Sequence, residues 1–164
     1  MTTPTVEFDG RFSEPGATAV PWAEVETILL EAKMFWLSTV RRDGRPHVTP
    51  VPMIFDGGQL HFTVGLGEQK MVNLAGNPRV AVTTGTPALT SGTDVVTEGT
   101  AVRVTDRDRL LALAGLWRSR LDWDYEVDGD TYHHQGGTAH VFGVSPAKIL
   151  AFGKSPYSQT RYRF

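Results

Sequence analysis

Apolar residues recur at spacings of three and four in two stretches of the chain, and alternate with polar ones through most of the rest. In "PWAEVETILLEAK", Trp22, Val25, Ile28, Leu29 and Ala32 share one helical face and Pro21 suits a first turn, so the spacing predicts a helix over 21–33. "TDRDRLLALAGLWRSRL" repeats the pattern with Leu110, Leu113, Ala114, Trp117 and Leu121, after a capping-box-like Thr105 and Asp108. Between these helices, Asp43-Gly44 and Asp56-Gly57-Gly58 separate β-rich runs, which predicts two consecutive hairpins with strands near 35–41, 46–55 and 59–64. Two further strands follow at 79–85 and 93–106, the second interrupted by Gly99, where a bulge or bend is expected. "TAHVFGVSPAKILAFG" supplies a last strand, broken at Pro146.

Pro46, Pro50 and Pro52 cannot donate ladder hydrogen bonds, so the second strand belongs at an edge, or is bulged or bent. Residues 1–20 hold Pro4, Gly10, Pro15 and Gly16 with little periodicity and read as an N-terminal arm, loosely ordered; 21–164 reads as one domain. The polar, acidic and aromatic stretch 122–137 reads as an excursion rather than a core element. The tight connections favour a mainly β fold, an antiparallel sheet closing as a small barrel with two sizeable helices and one short one. Parallel strands would need crossovers of about a dozen residues, which the short connections do not supply.

The 164 residues are 40% hydrophobic and 21% charged, enough for one core. A net charge of −2 gives no global field for nucleic acid or an anionic membrane, so any anion site is local. Without cysteine there is no disulfide, thiolate metal site or thiol nucleophile, which fits the cytoplasm. No apolar run is long enough for a membrane span, and the start lacks a signal-peptide pattern. No Ser-His-Asp order or carboxylate pair marks a catalytic residue.

The stretch "TVGLGEQK" carries the sharpest candidate chemistry. It lacks the third glycine of a dinucleotide fingerprint and the Gly-Lys-Ser/Thr of a Walker loop. Two readings stay open: a turn that feeds a helix N-terminus, where free N–H groups and Lys70 would hold a phosphate, or a plain turn with Glu68 and Lys70 solvated.

The order of parts, with Leu37-Ser38-Thr39 before Asp43-Gly44-Arg45-Pro46-His47-Val48, and Lys70 before Asn73-Leu74 and Asn77-Pro78-Arg79-Val80, resembles the pyridoxamine 5′-phosphate oxidase-like FMN-binding split-barrel family over 21–164. The resemblance implies a six-stranded antiparallel split β-barrel of Greek-key type and a homodimer with cofactor sites at the subunit interface. It implies that His47, Val48, Thr49 and Pro50 line the flavin ring, that Thr63, Val64 and Gly65 approach the ribityl chain, and that Lys70 with Gln69 meets the phosphate. Gln159, Thr160, Arg161, Tyr162 and Arg163 would reach a site from the tail. "FWLSTVRRDGRPHVTPV" and the "SQTRYRF" ending look most like the flavin/deazaflavin oxidoreductase branch, many members of which use coenzyme F420 rather than FMN. That branch implies hydride transfer to a small electron-poor organic acceptor. The alternatives are an FMN-dependent oxidase or reductase and a non-catalytic flavin- or haem-binding dimer; the basic substrate-phosphate signature of vitamin B6 oxidases is reduced here to Arg161 and Arg163.

Four further groups of residues carry candidate chemistry. Arg161 and Arg163, at i and i+2, point the same way if the tail is extended and would form a two-pronged anion clamp. Arg41, Arg42 and Arg45 form either an anion-attracting or a solubilising hairpin tip. His133, His134 and His140 have no metal-ligand spacing and read as a polar loop. The tryptophans read mostly as core, with Trp123 the candidate for an exposed pocket wall.

Overall fold

The computed structural model describes residues 3–135 and 137–164. The chain forms eleven strands among these residues: β1 (Thr5–Phe8), β2 (Met34–Val40), β3 (Pro46–Pro52), β4 (Ile54–Asp56), β5 (Gln59–Gly65), β6 (Arg79–Thr84), β7 (Thr93–Val104), β8 (Glu126–Asp128), β9 (Thr131–His134), β10 (Gly137–Gly153) and β11 (Ser158–Arg163). Three α-helices accompany them, α1 (Trp22–Glu31), α2 (Gln69–Gly76) and α3 (Arg107–Leu121). The fold is mainly β, with every strand pairing antiparallel.

The sheet runs β1-β11-β10-β7-β6-β2-β3, and β5 pairs with both β10 and β4. Its circuit is completed by covalent continuity. The segment expected as one strand over 46–55 is divided at Met53, where its partner changes: β3 pairs with β2, whereas β4 pairs with β5. Among the described residues β3 has no other partner, so the barrel is split along that edge. Its three prolines share one parity, and residues of one parity in an antiparallel strand direct their N–H groups away from the partner. The missing donors therefore lie on the free edge, where the sheet does not need them.

Six strand stretches were expected in the barrel, and β2, β3 with β4, β5, β6, β7 and β10 answer to them. The additional strands come from stretches read as irregular. Residues of the arm form β1, which pairs with β11 from Thr5↔Arg163 to Phe8↔Thr160. The 122–137 excursion, apart from Gly136, which lies outside the described residues, contains the β8–β9 hairpin, and β9 joins β10. Its Tyr125 and Tyr132 are buried with Trp117, Leu110, Leu113 and Val141 in a second core beneath α3. Burial of these rings is what anchors so polar a sequence.

Pro146 does not end the last strand. β10 continues through it, and the register shifts between Pro146 and Lys148, opposite Gly99 and Glu98. A Cβ on Gly99 would stand 2.3 Å from the Ser145 carbonyl oxygen, so the glycine permits the close approach while the extra residue lies in β10. The main core fills the barrel, where α1 contributes Val25 and Leu29 and α2 contributes Leu74.

Candidate functional site

Alternation along β3 divides its candidate residues between two faces. Thr49 lies opposite Leu37 on a row that continues through Val82, Thr97, Ile149 and Tyr162, all buried; His47 shares that inward parity. Val48 and Pro50 face outward. From Pro50 the outward row crosses Trp36, Thr83, Val96 and Leu150 to Arg161 and Glu7; from Val48 it crosses Ser38, Ala81, Glu98 and Lys148 to Arg163. Tail arginines and outward β3 residues thus share one sheet face.

That face is apolar in its middle. Trp36 is 51% exposed and Val48 52%, so Trp36 is not the core residue expected of most tryptophans here. Two open grooves lie on it, of about 660 Å³ beside Trp36, Met34 and Phe152 and about 450 Å³ beside Ser38, Ala81 and Glu98. Lys70 lines neither.

The inward group meets α2. Asn73, nearly buried, donates from Nδ2 to Thr39 Oγ1 at 2.9 Å and accepts from Gln69 Nε2 at 2.9 Å. The Thr39 hydroxyl then lies 3.3 Å from both Nδ1 and the carbonyl oxygen of His47. Burial, reinforced by the positive charges of Arg41 and Lys70, pulls the His47 pKa below its ordinary value and favours the neutral ring. The Thr49 hydroxyl is buried without a hydrogen-bond partner among the described residues.

At the β5–α2 turn, Lys70 is only 8% exposed and burial lowers its pKa. Its ammonium contacts Glu68 Oε2, while Glu68 Oε1 accepts the Gly65 N–H at 2.6 Å. Lysine and backbone donor therefore converge on one carboxylate, a pair of oxygens where a phosphate would place its own. A buried ammonium beside a glycine N–H that donates to a side-chain carboxylate fits a phosphate-bearing cofactor. The sequence candidates do not include Glu68, Asn73 and Thr39, which the folded turn brings to Gly65, Gln69 and His47.

Other candidates are dispersed. Thr63 faces the second core, its hydroxyl 3.2 Å from the Tyr125 hydroxyl, and Val64 is fully buried in the barrel. Thr160 Oγ1 accepts from the Val20 N–H at 2.9 Å, the Tyr162 hydroxyl donates to the Val20 carbonyl, and Gln159 lies opposite Phe152. Arg161 and Arg163 do extend together, and both reach Glu7, at 3.1 and 3.3 Å. At the hairpin tip Arg45 pairs with Asp43 at 2.8 Å. Trp123 is 38% exposed and lies parallel to the His134 ring at a centroid distance of 6.3 Å. Among the described residues no group of three or more His, Asp or Glu side chains is arranged for a metal, and no helix is long and apolar enough to cross a membrane.

An antiparallel barrel left open along the β3 edge defines a split-barrel protein. The chain belongs to the pyridoxamine 5′-phosphate oxidase family, whose model matches residues 21–151. Solved structures share the fold. An F420 reductase is 25% identical, with a TM-score of 0.60 over 79% of this chain and 98% of that one. A haem-binding protein from Mycobacterium smegmatis is 17% identical, with a TM-score of 0.65 over 88% of this chain and 59% of that one. A FAD-binding protein from Mesorhizobium loti is 16% identical, with a TM-score of 0.61 over 98% and 99%. No curated protein matches the sequence.

Proposed function

We propose that the chain is a homodimeric oxidoreductase that binds coenzyme F420 and serves hydride transfer to a small electron-poor organic acceptor, in the cytoplasm. The observation that carries this reading is the buried Lys70 ammonium converging with the Gly65 N–H at the β5–α2 turn. The likeness to an F420 reductase supports F420 over FMN, and the cysteine-free composition supports the compartment.

When bound, F420 supplies a ring that carries a hydride. The chain's own residues do the rest. Lys70 and the Gly65 N–H hold the phosphate, with Gln69 beside them. His47, kept neutral and braced by Thr39, would orient the ring from β3 with Thr49 on the same face, whereas Val48 and Pro50, on the opposite face, would meet it only through the strand's backbone. Thr63 and Val64 shape the wall that leads to Gly65. A second copy laid on the Trp36–Val48 face would exclude water and bring Arg161 and Arg163, with Gln159 and Thr160 behind them, toward an acidic cofactor. The excursion that carries Trp123 is where acceptor choice would reside.

FMN is the second reading, because the same cradle suits its phosphate and the family model is that of pyridoxamine 5′-phosphate oxidase. Parallel titrations with F420 and FMN, read by tryptophan and cofactor fluorescence with Lys70→Ala as control, separate the two. Tighter F420 binding that the variant loses supports the deazaflavin; preference for FMN moves the chain to the flavin branch. Sedimentation velocity tests the dimer, and a monomer at micromolar concentration would remove the shared site.

A further inference from the structure

We infer that Glu68 is the resident anion of the Lys70 cradle and limits how tightly the site takes a phosphate, an inference that rests on the phosphate reading given above. One carboxylate satisfies both donors: Oε1 takes the Gly65 N–H and Oε2 the Lys70 ammonium. Among the described residues Glu68 is the sole carboxylate within ion-pair reach of Lys70. Its contact with the glycine is close, since a Cβ built on Gly65 would stand 3.1 Å from Oε1.

Glu68 is also placed to leave. Its side chain is 44% exposed, against 10% for that of Lys70, so the carboxylate has water to swing into and the ammonium does not. It precedes α2 with extended backbone angles, φ −80° and ψ 145°, and its own N–H donates to the Gly65 carbonyl at 3.1 Å. Departure of the side chain would therefore leave both the turn and the helix hydrogen-bonded.

The electrostatic consequence follows from charge count. With Glu68 in place the cradle is neutral, so an incoming phosphate must displace a carboxylate that stays near enough to repel it. Removing that charge leaves a buried ammonium without a counter-ion and favours an external anion. Glu68→Gln is therefore expected to bind phosphates about tenfold more tightly, the equivalent of one charge-assisted hydrogen bond no longer contested.

The test uses the whole chain, as wild type, Glu68→Gln, Glu68→Asp and Lys70→Ala. Inorganic pyrophosphate is titrated against the Gly65 amide resonance, and F420 and FMN against fluorescence. The expected result is a tenfold gain for Glu68→Gln with pyrophosphate and cofactor alike, a smaller gain for Glu68→Asp, whose shorter arm cannot span both donors, and binding about a hundredfold weaker by Lys70→Ala. Equal or weaker binding by both Glu68 variants, with wild type still binding cofactor, overturns the role of Glu68 as a gate on the cradle and leaves the cofactor reading standing. A gain with pyrophosphate while neither cofactor binds any variant overturns the cofactor reading and leaves the gate. A Gly65 resonance that pyrophosphate moves in no variant overturns the gate outright.

Discussion

Two sets of basic side chains in this protein are each held by a glutamate of the same chain, and they differ in depth and in reach along the sequence. Lys70 and Glu68 lie two residues apart, with the lysine buried. Arg161 and Arg163 meet Glu7 across more than 150 residues, on a face where Arg163 keeps 54% of its side-chain exposure. The first pair sits where its cation has little access to water, whereas the second ties a strand to its neighbour on a more exposed face. Depth, more than charge count, decides which glutamate matters to a ligand.

His61 sharpens the contrast, because it shows what a buried base does with an arginine beside it. Fully buried and 3.4 Å from Arg109, it is pulled from 6.5 to about 4, burial first and the Arg109 charge second. The native chain then takes up this proton only near pH 4, while the unfolded chain takes it near 6.5. Stability therefore declines as pH falls through that window, by about 3 kcal/mol. Denaturant titrations at pH 7 and pH 4 measure it, and His61→Gln is expected to flatten the decline; an unchanged slope would assign the acid sensitivity elsewhere.

Next in size, Lys70→Ala is expected to cost about a hundredfold in cofactor affinity, the loss of a buried charge-assisted contact, as calorimetry would read it. Arg161→Gln combined with Arg163→Gln is expected to cost about tenfold and to reduce the salt dependence of binding. If the double variant costs as much as Lys70→Ala, depth is not the deciding variable and the comparison breaks. Smallest is Glu7→Gln, expected to shift unfolding by less than about 0.5 kcal/mol, because an exposed pair is screened and β1 keeps its backbone ladder. A loss of several times that size would make the arm's closure, not the barrel, the fragile element.

Barrel strands and both long helices were legible because apolar positions recur in them at a steady spacing and turn residues bound most of them. The β8–β9 hairpin was not, since Tyr125 and Tyr132 carry its burial in a stretch otherwise rich in Asp, His and Gly, and the second core they join is assembled from α3 and β10. Trp36 shows the opposite failure: alternation tells which residues share a face, but not which face the protein leaves bare. In the candidate site, the turn that carries Lys70 could be read from Gly65, Gly67 and the helix that follows. Glu68 could not, because a glutamate before a helix is ordinarily solvated, and only the folded turn shows its carboxylate bent back onto Gly65.

An unclosed barrel carries a hazard that the prolines of β3 answer. A bare strand edge with alternating donors and acceptors is a template on which another chain can pair, and repetition of that pairing is how ordered aggregates grow. Pro46, Pro50 and Pro52 strip that edge of most of its donors and leave it largely an array of carbonyl oxygens. A concentrated solution of this protein should thus resist fibril formation at its most exposed seam, and replacing the three prolines with valine should raise thioflavin-positive aggregation without disturbing the barrel's interior.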